Sequence, residues 1–246
     1  MSHIAIRFPA VVLTGALLAA GCSSTGASTA APSNAPQAAQ AVEDGWLSLD
    51  DLSQWRGYKM DHAHSTWTVE DGAITLNRAA GAEAGDLMTR QQFGDFDLEL
   101  DWKIAEGGNS GVIYRVGEEQ PSSYNTGPEM QVIDNERHAD GKIPSHRSGA
   151  LYDLIVPPEG ISKPAGEWNH SRLRVEGNHI QQWLNGTVTA DIVMGTPEWN
   201  RVLQASKFRT MPAFATHARG YIALQDHGGD RVWFRNIRIR PLDAGR

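Results

Sequence analysis

Between Gly45 and Leu242 the hydrophobic positions recur mostly at every second residue. Phe96, Leu98, Leu100, Trp102 and Ile104 alternate with Asp97, Glu99, Asp101 and Lys103, which predicts a long strand with one apolar and one acidic face. Trp67-Thr68-Val69 and Ala73-Ile74-Thr75-Leu76 flank Glu70-Asp71-Gly72, a hairpin signal. A second hairpin is expected where Arg172 to Val175 meets Ile180 to Leu184 across Gly177-Asn178, and Asn185-Gly186 supplies a further turn into Thr187-Val188-Thr189. Tyr221 to Gln225 and Val232 to Ile239 read as two closing strands. Only Pro197 to Phe208 has helical character, with Thr196 as cap and Trp199, Val202 and Leu203 on one face. Ten or more short strands and one short helix predict an all-β jelly-roll sandwich.

The N-terminal part breaks this pattern. Arg7 precedes a largely apolar run from Phe8 to Ala20, too short to span a bilayer, so residues 1–21 read as a secretory signal. Gly21-Cys22 resembles a bacterial lipobox, with Ala19 where Leu is usual and Leu18 one position earlier. That resemblance implies lipidation at Cys22 and a periplasmic protein held in the cell envelope; Ser23 points to the outer membrane. Ordinary secretion is the alternative. Residues 22–42 are nearly all small or polar and read as a flexible tether, leaving 43–246 as the folded domain.

Composition removes several classes of function. With 40% hydrophobic and 21% charged residues, the 246-residue chain can bury a real core. Its net charge of -7 and lack of any Lys/Arg run exclude an electrostatic nucleic-acid binder. A single cysteine excludes an intramolecular disulfide framework and any zinc site built on several cysteines. No nucleophile elbow, phosphate loop or zincin helix motif is present.

The polar residues most open to chemistry fall in three stretches. In Glu129 to Asp134, a strand would put Glu129, Gln131 and Ile133 on one face and Met130 and Val132 in the core; a solvated strand face is the plainer account of Glu129 and Gln131. In Asn109 to Arg115, even spacing predicts Asn109 and Arg115 on one face, where Arg115 would clamp sugar hydroxyls or pair with Glu129 or Asp134. In Gln225-Asp226-His227, the Gly-rich turn that follows makes His227 the leading acid/base candidate, the alternative being an inconsequential surface histidine. Trp168 sits at a turn where its ring could stack on a sugar. Asp134, His138 and His146 match no fixed metal-ligand spacing and are better read as loop contacts.

Taken in order, Trp67-x-Val69-x-Asp71-Gly72, Asn109-Ser110-Gly111, Glu129-x-Gln131, Gly149-x-Leu151-Tyr152, Gly166-Glu167-Trp168-Asn169, Leu184-Asn185-Gly186, Ser206-Lys207-Phe208 and Gly220 through Gly228, with Trp233 to Ile239 closing, resemble the 3-keto-disaccharide hydrolase domain family. The resemblance covers about Gly45 to Leu242 and implies a concanavalin A-like lectin/glucanase sandwich. Fold alone leaves function open, since lectins, glucanases and lyases share it. Ordinary glycoside hydrolysis needs two carboxylates, and the Glu129 face offers one.

The family name implies a reaction that one base can start. A ketone at C3 acidifies the C2 proton, so its removal can expel the glycosidic oxygen from C1, and water can then add back. On this reading Glu129 or His227 is the base and the other the acid. Arg115, Asn109 or a bound divalent cation would hold the enolate, while Gln131, Tyr152 and Gln225 hold hydroxyls. The substrate would come from a partner sugar 3-oxidoreductase. Two alternatives stand beside this: a non-catalytic carbohydrate-binding module and a conventional glucanase-like glycosidase.

Overall fold

The computed structural model describes residues 43–77, 82–228 and 230–242. The signal segment, Cys22 and the tether lie outside them. The strands are β1 (Leu47–Ser48), β2 (Trp55–Gly57), β3 (Trp67–Glu70), β4 (Ala73–Leu76), β5 (Leu87–Thr89), β6 (Phe96–Ile104) and β7 (Asn109–Val116). They continue with β8 (Glu129–Ile133), β9 (Asn169–Glu176), β10 (His179–Leu184), β11 (Thr187–Val193), β12 (Tyr221–Leu224) and β13 (Val232–Pro241), and one helix, α1 (Pro197–Ala205). No helix among the described residues is long and apolar enough to cross a membrane.

Two antiparallel sheets carry the fold. The larger runs β11-β10-β9-β6-β13-β4-β3, with β1 also paired to β13; the smaller runs β2-β5-β12-β7-β8. The expected turns form where positive φ is supplied: 50° and 75° at Asp71 and Gly72, and 50° and 83° at Asn185 and Gly186. Such mirror-type turns match the twist of the strands they join.

The apolar row of β6, Phe96 to Ile104, is wholly buried and packs with Val112 and Tyr114 of β7 and Met130 and Val132 of β8 in the main core. The opposite row of β6 faces outward between two basic rows. Asp97 lies across from Arg174 of β9 and Arg240 of β13, and Glu99 across from Arg172 and Arg238. Opposite charges directly across an antiparallel pair are the favourable arrangement, so this row sets register as well as solubility.

The helix ends earlier than expected. Thr196 accepts the Trp199 N–H at 3.3 Å as cap, but the chain leaves helical geometry at Ser206 (φ -96°, ψ 171°). The Ser206 hydroxyl donates back to the Leu203 carbonyl and accepts the Phe208 N–H, starting a separate turn over Lys207–Thr210. That break places Lys207 beside the smaller sheet's outer face.

Candidate active site

The smaller sheet is buried on both faces of β8. Met130 and Val132 enter the core, while Glu129 and Gln131 point to the other side and line a cavity of about 330 Å³. The outer edge of β8 is closed by the segment 149–152: the Gln131 N–H donates to the Ala150 carbonyl, and the Gly149 and Tyr152 N–H groups donate to the carbonyls of Gln131 and Glu129. An edge that would otherwise be open to pairing is thereby used to bring Tyr152 to the cavity.

Glu129 is 4% exposed, and among the described residues its carboxylate has no hydrogen-bonding partner. Burial pushes its pKa up to about 8; the Lys207 ammonium pulls it down and Asp86 pushes it up, both by less. Gly111, directly across β7 from Gln131, leaves room for it: a Cβ at Gly111 would overlap the Glu129 carboxylate. This glycine is needed for close approach rather than for an unusual φ.

Around Glu129 the remaining walls are polar. The Gln131 amide donates to the Asn109 side-chain oxygen at 3.2 Å, and its own oxygen is buried without a partner among the described residues. Gln225 joins this row through its N–H, which donates to the Gly111 carbonyl. His227 is half exposed at the rim, with its Nδ1 3.5 Å from an Asp230 oxygen that also accepts the Asn109 N–H at 3.1 Å. The Lys207 ammonium lies over the rings of Tyr152 and Tyr124, 4.4 and 5.3 Å from their centroids. Aromatic faces attract and orient such a cation, and Asp153 fixes its backbone by accepting the Lys207 N–H at 2.7 Å.

Three expected site residues are placed elsewhere. Arg115 does not share a face with Asn109. The β7–β12 register shifts between Tyr221 and Ala223, and Arg115 sits there at φ 52°, so Ile113 and Val116, three apart, fall in one cluster. This bulge breaks the alternation that even spacing assumes. The Arg115 guanidinium is buried, donating to the Gly94 carbonyl and to Asp95 at 3.1 Å, and so pairs with neither Glu129 nor Asp134. Trp168 is not at the cavity; the Arg235 guanidinium covers its ring at 3.8 Å and the Lys103 ammonium lies at 5.1 Å. Asp226 accepts the Gly85 N–H and lines a neighbouring pocket.

A different set of possible metal donors emerges from the one read off the chain. His138, His227 and Asp230 each bring one ligand atom within 4.8 Å of the others, a set able to hold a divalent cation. The His138 Nδ1 is already engaged as acceptor of the Asp140 N–H, which leaves its Nε2 for such a role. Asp134 instead accepts the N–H groups of Gly107, Glu136 and Arg137, and His146 contacts Asp153 at 3.1 Å.

Comparison with known proteins fits this geometry. Residues 40–240 match the model of the 3-keto-alpha-glucoside-1,2-lyase-like domain. The chain belongs to that family. The 3-keto-alpha-glucoside-1,2-lyase-like domain is also 37% identical over 231 residues to a 3-keto-disaccharide hydrolase of Bacteroides thetaiotaomicron, covering 81% of this chain and 79% of that protein. Among solved structures it is similar to a "putative glycosyl hydrolase" of Parabacteroides distasonis, at TM-score 0.72 and 28% identity over 81% of this chain and 94% of that one. A Bacillus subtilis protein with a galectin-like fold matches at TM-score 0.51 and 12% identity, covering 78% of this chain and 91% of that one, which bears on fold alone. The expected concanavalin A-like sandwich therefore stands. In this 3-keto-alpha-glucoside-1,2-lyase-like domain the cavity residues left without a role by the sequence reading are Lys207 and Tyr124, with Gly111 beside them. The signal for Lys207 was Ser206, a capping residue that ends one helix and begins another turn.

Proposed function

We propose that this protein cleaves 3-keto-glucosides, with Glu129 as the base that removes the C2 proton. The observation that carries this reading is a buried carboxylate facing a polar cavity with no hydrogen-bonding partner among the described residues. A carboxylate desolvated in this way is a stronger base than one in water, and general base help amounts to roughly 10² to 10⁴-fold. As the C2–H bond breaks, its electrons form C2=C3 and charge passes to the C3 oxygen; the C3 carbonyl then re-forms, C1=C2 forms and the C1–O bond to the leaving group breaks. His227 donates a proton to the departing oxygen. The Lys207 ammonium and the Asn109 amide stabilise the charge that develops on the C3 oxygen. Water then adds at C1 and a proton at C2, which completes a net hydrolysis. Gln131, Tyr152 and Gln225 hold ring hydroxyls, the partnerless Gln131 oxygen being the clearest acceptor.

Among the cavity residues Glu129 is the one carboxylate, which weighs against conventional two-carboxylate glycoside hydrolysis. The expected test is proton NMR of full-length protein with 3-keto-trehalose and with trehalose. The keto sugar alone should be cleaved; cleavage of unoxidised trehalose would favour a conventional glycosidase, and binding without product a binding module. A substrate bearing a C3 ketone requires a sugar 3-oxidoreductase upstream. We further assign Cys22 as the lipidated residue of an envelope-anchored protein, supported by the apolar run before it. Mass spectrometry of the mature N-terminus should find an acylated cysteine; a free N-terminus at another residue would contradict it.

A further inference from the structure

Next to the Glu129 cavity is a second one of about 370 Å³, and the two share Tyr124, Gln225 and His227. A disaccharide needs two adjoining chambers with the bond to be broken between them. His227, assigned above to the leaving oxygen, stands in the shared wall. Tyr124, also shared, is 36% exposed and offers a ring face of the kind sugars stack on.

The far chamber has a distinct chemistry. Tyr58, His64, Asp86 and Asp226 line it. Asp86 accepts the Ser123 hydroxyl and the Asp226 N–H, and Asp226 accepts the Gly85 N–H at 3.1 Å, so both carboxylates are fixed in place. Among the described residues the buried His64 Nδ1 has no hydrogen-bond partner, the Glu83 carboxylate lying 3.9 Å away. Burial, followed by Glu118, Glu119 and Asp86, pushes the Tyr58 hydroxyl up to about 12, as expected where the local field is negative. A fixed carboxylate such as Asp226 accepts hydroxyl protons and repels anions, while burial raises the Asp86 pKa and leaves that group chiefly a hydrogen-bonding partner.

We propose that this second chamber is the leaving-group subsite, and that it takes a neutral sugar ring in preference to a phosphorylated or uronic-acid ring or a small alcohol. This rests on the reading of Glu129 and His227 given above, because it places the scissile oxygen at their boundary. Loss of one or two sugar hydrogen bonds, or addition of a like charge, corresponds to about 10-fold in kcat/KM.

The test measures kcat/KM of the full chain for 3-keto-trehalose, for its analogue phosphorylated on the unoxidised ring, and for methyl 3-keto-α-glucoside. Wild type should prefer the neutral disaccharide over the phosphorylated one by about 10-fold or more. Asp226→Asn and Ala84→Phe should each lower the ratio of disaccharide to methyl-glucoside activity by about 10-fold. Asp226 also holds the Gly85 backbone, whereas Ala84 is exposed on the chamber's lip and its replacement needs no repacking. A ratio is insensitive to the fraction of folded protein. An unchanged ratio in both variants, or equal cleavage of the phosphorylated sugar, overturns the subsite while leaving the site chemistry intact. If wild type cleaves neither keto sugar, the chemistry fails and the subsite with it.

Discussion

Asp97 and Glu129 are both buried carboxylates on β-strands, and they are treated in opposite ways. Asp97, with no exposed surface, receives the Arg172 guanidinium at 2.8 and 2.6 Å, Arg240 at 3.2 Å and Arg174 at 3.6 Å. Glu129, nearly as buried, has no hydrogen-bonding partner among the described residues, and its pKa is pushed up to about 8. The larger sheet neutralises its acid because a buried charge must be paired. On the proposed function the smaller sheet's acid stays free of arginine, since a carboxylate held by arginine would be too weak a base to take a proton from carbon. Burial alone therefore does not distinguish structure from function; the partners do.

Glu129→Gln should produce the largest effect, a loss of roughly 10² to 10⁴-fold in kcat/KM with the fold retained. It should also change stability with pH in a defined direction. A carboxyl whose pKa is raised from 4.5 to about 8 on folding stabilises the native state fully below the lower value, and that contribution is lost as pH climbs to the upper one. Wild-type denaturation free energy should thus fall between pH 4.5 and about 8, by at most about 1.4 kcal/mol per unit from this group. Urea melts across that range should show a flatter profile for the Gln variant; identical profiles would contradict the burial account.

Asp97→Asn should leave activity per folded molecule intact and lower stability. Because its arginine partners are partly exposed, the expected loss is about 2 kcal/mol, below the range for fully buried pairs. Equilibrium denaturation measures this, and a drop in kcat without a stability change would reverse the comparison.

The smallest displacement to read is on the pH axis, in Lys207→Met, beside the fall in kcat/KM expected when its ammonium no longer stabilises charge on the C3 oxygen. Its ammonium lowers the Glu129 pKa, so its loss should move the acidic limb of the kcat/KM profile, where Glu129 gains its proton, to higher pH. An unmoved limb would show that the two charges are not coupled in solution.

Much of the fold was legible because alternation and turn chemistry are local. The β6 row, the Asp71-Gly72 and Asn185-Gly186 turns and the Thr196 cap each depend on neighbours in sequence. Glu129, Gln131 and Asn109 could be placed on one side of the smaller sheet for the same reason, and Tyr152, Gln225 and His227 prove to line the same cavity. Arg115 could not, because one bulge residue at positive φ cancels the parity on which the inference depended. Lys207 reaches the cavity from a segment far along the chain and Tyr124 from the short turn before β8, and only the closed fold brings that charge over the tyrosine rings. Trp168 shows the converse: an aromatic at a turn was covered by cations from two other strands, β6 and β13.

The most direct test of Glu129 as a C2 base is proton NMR in heavy water with 3-keto-trehalose, sampled early against an enzyme-free 3-keto-glucose control. Wild type should release 3-keto-glucose carrying deuterium at C2, and Glu129→Gln should lose label and cleavage together. Cleavage by wild type without that label, and without slowing when C2 of the keto ring carries deuterium in the substrate, would contradict elimination driven by Glu129.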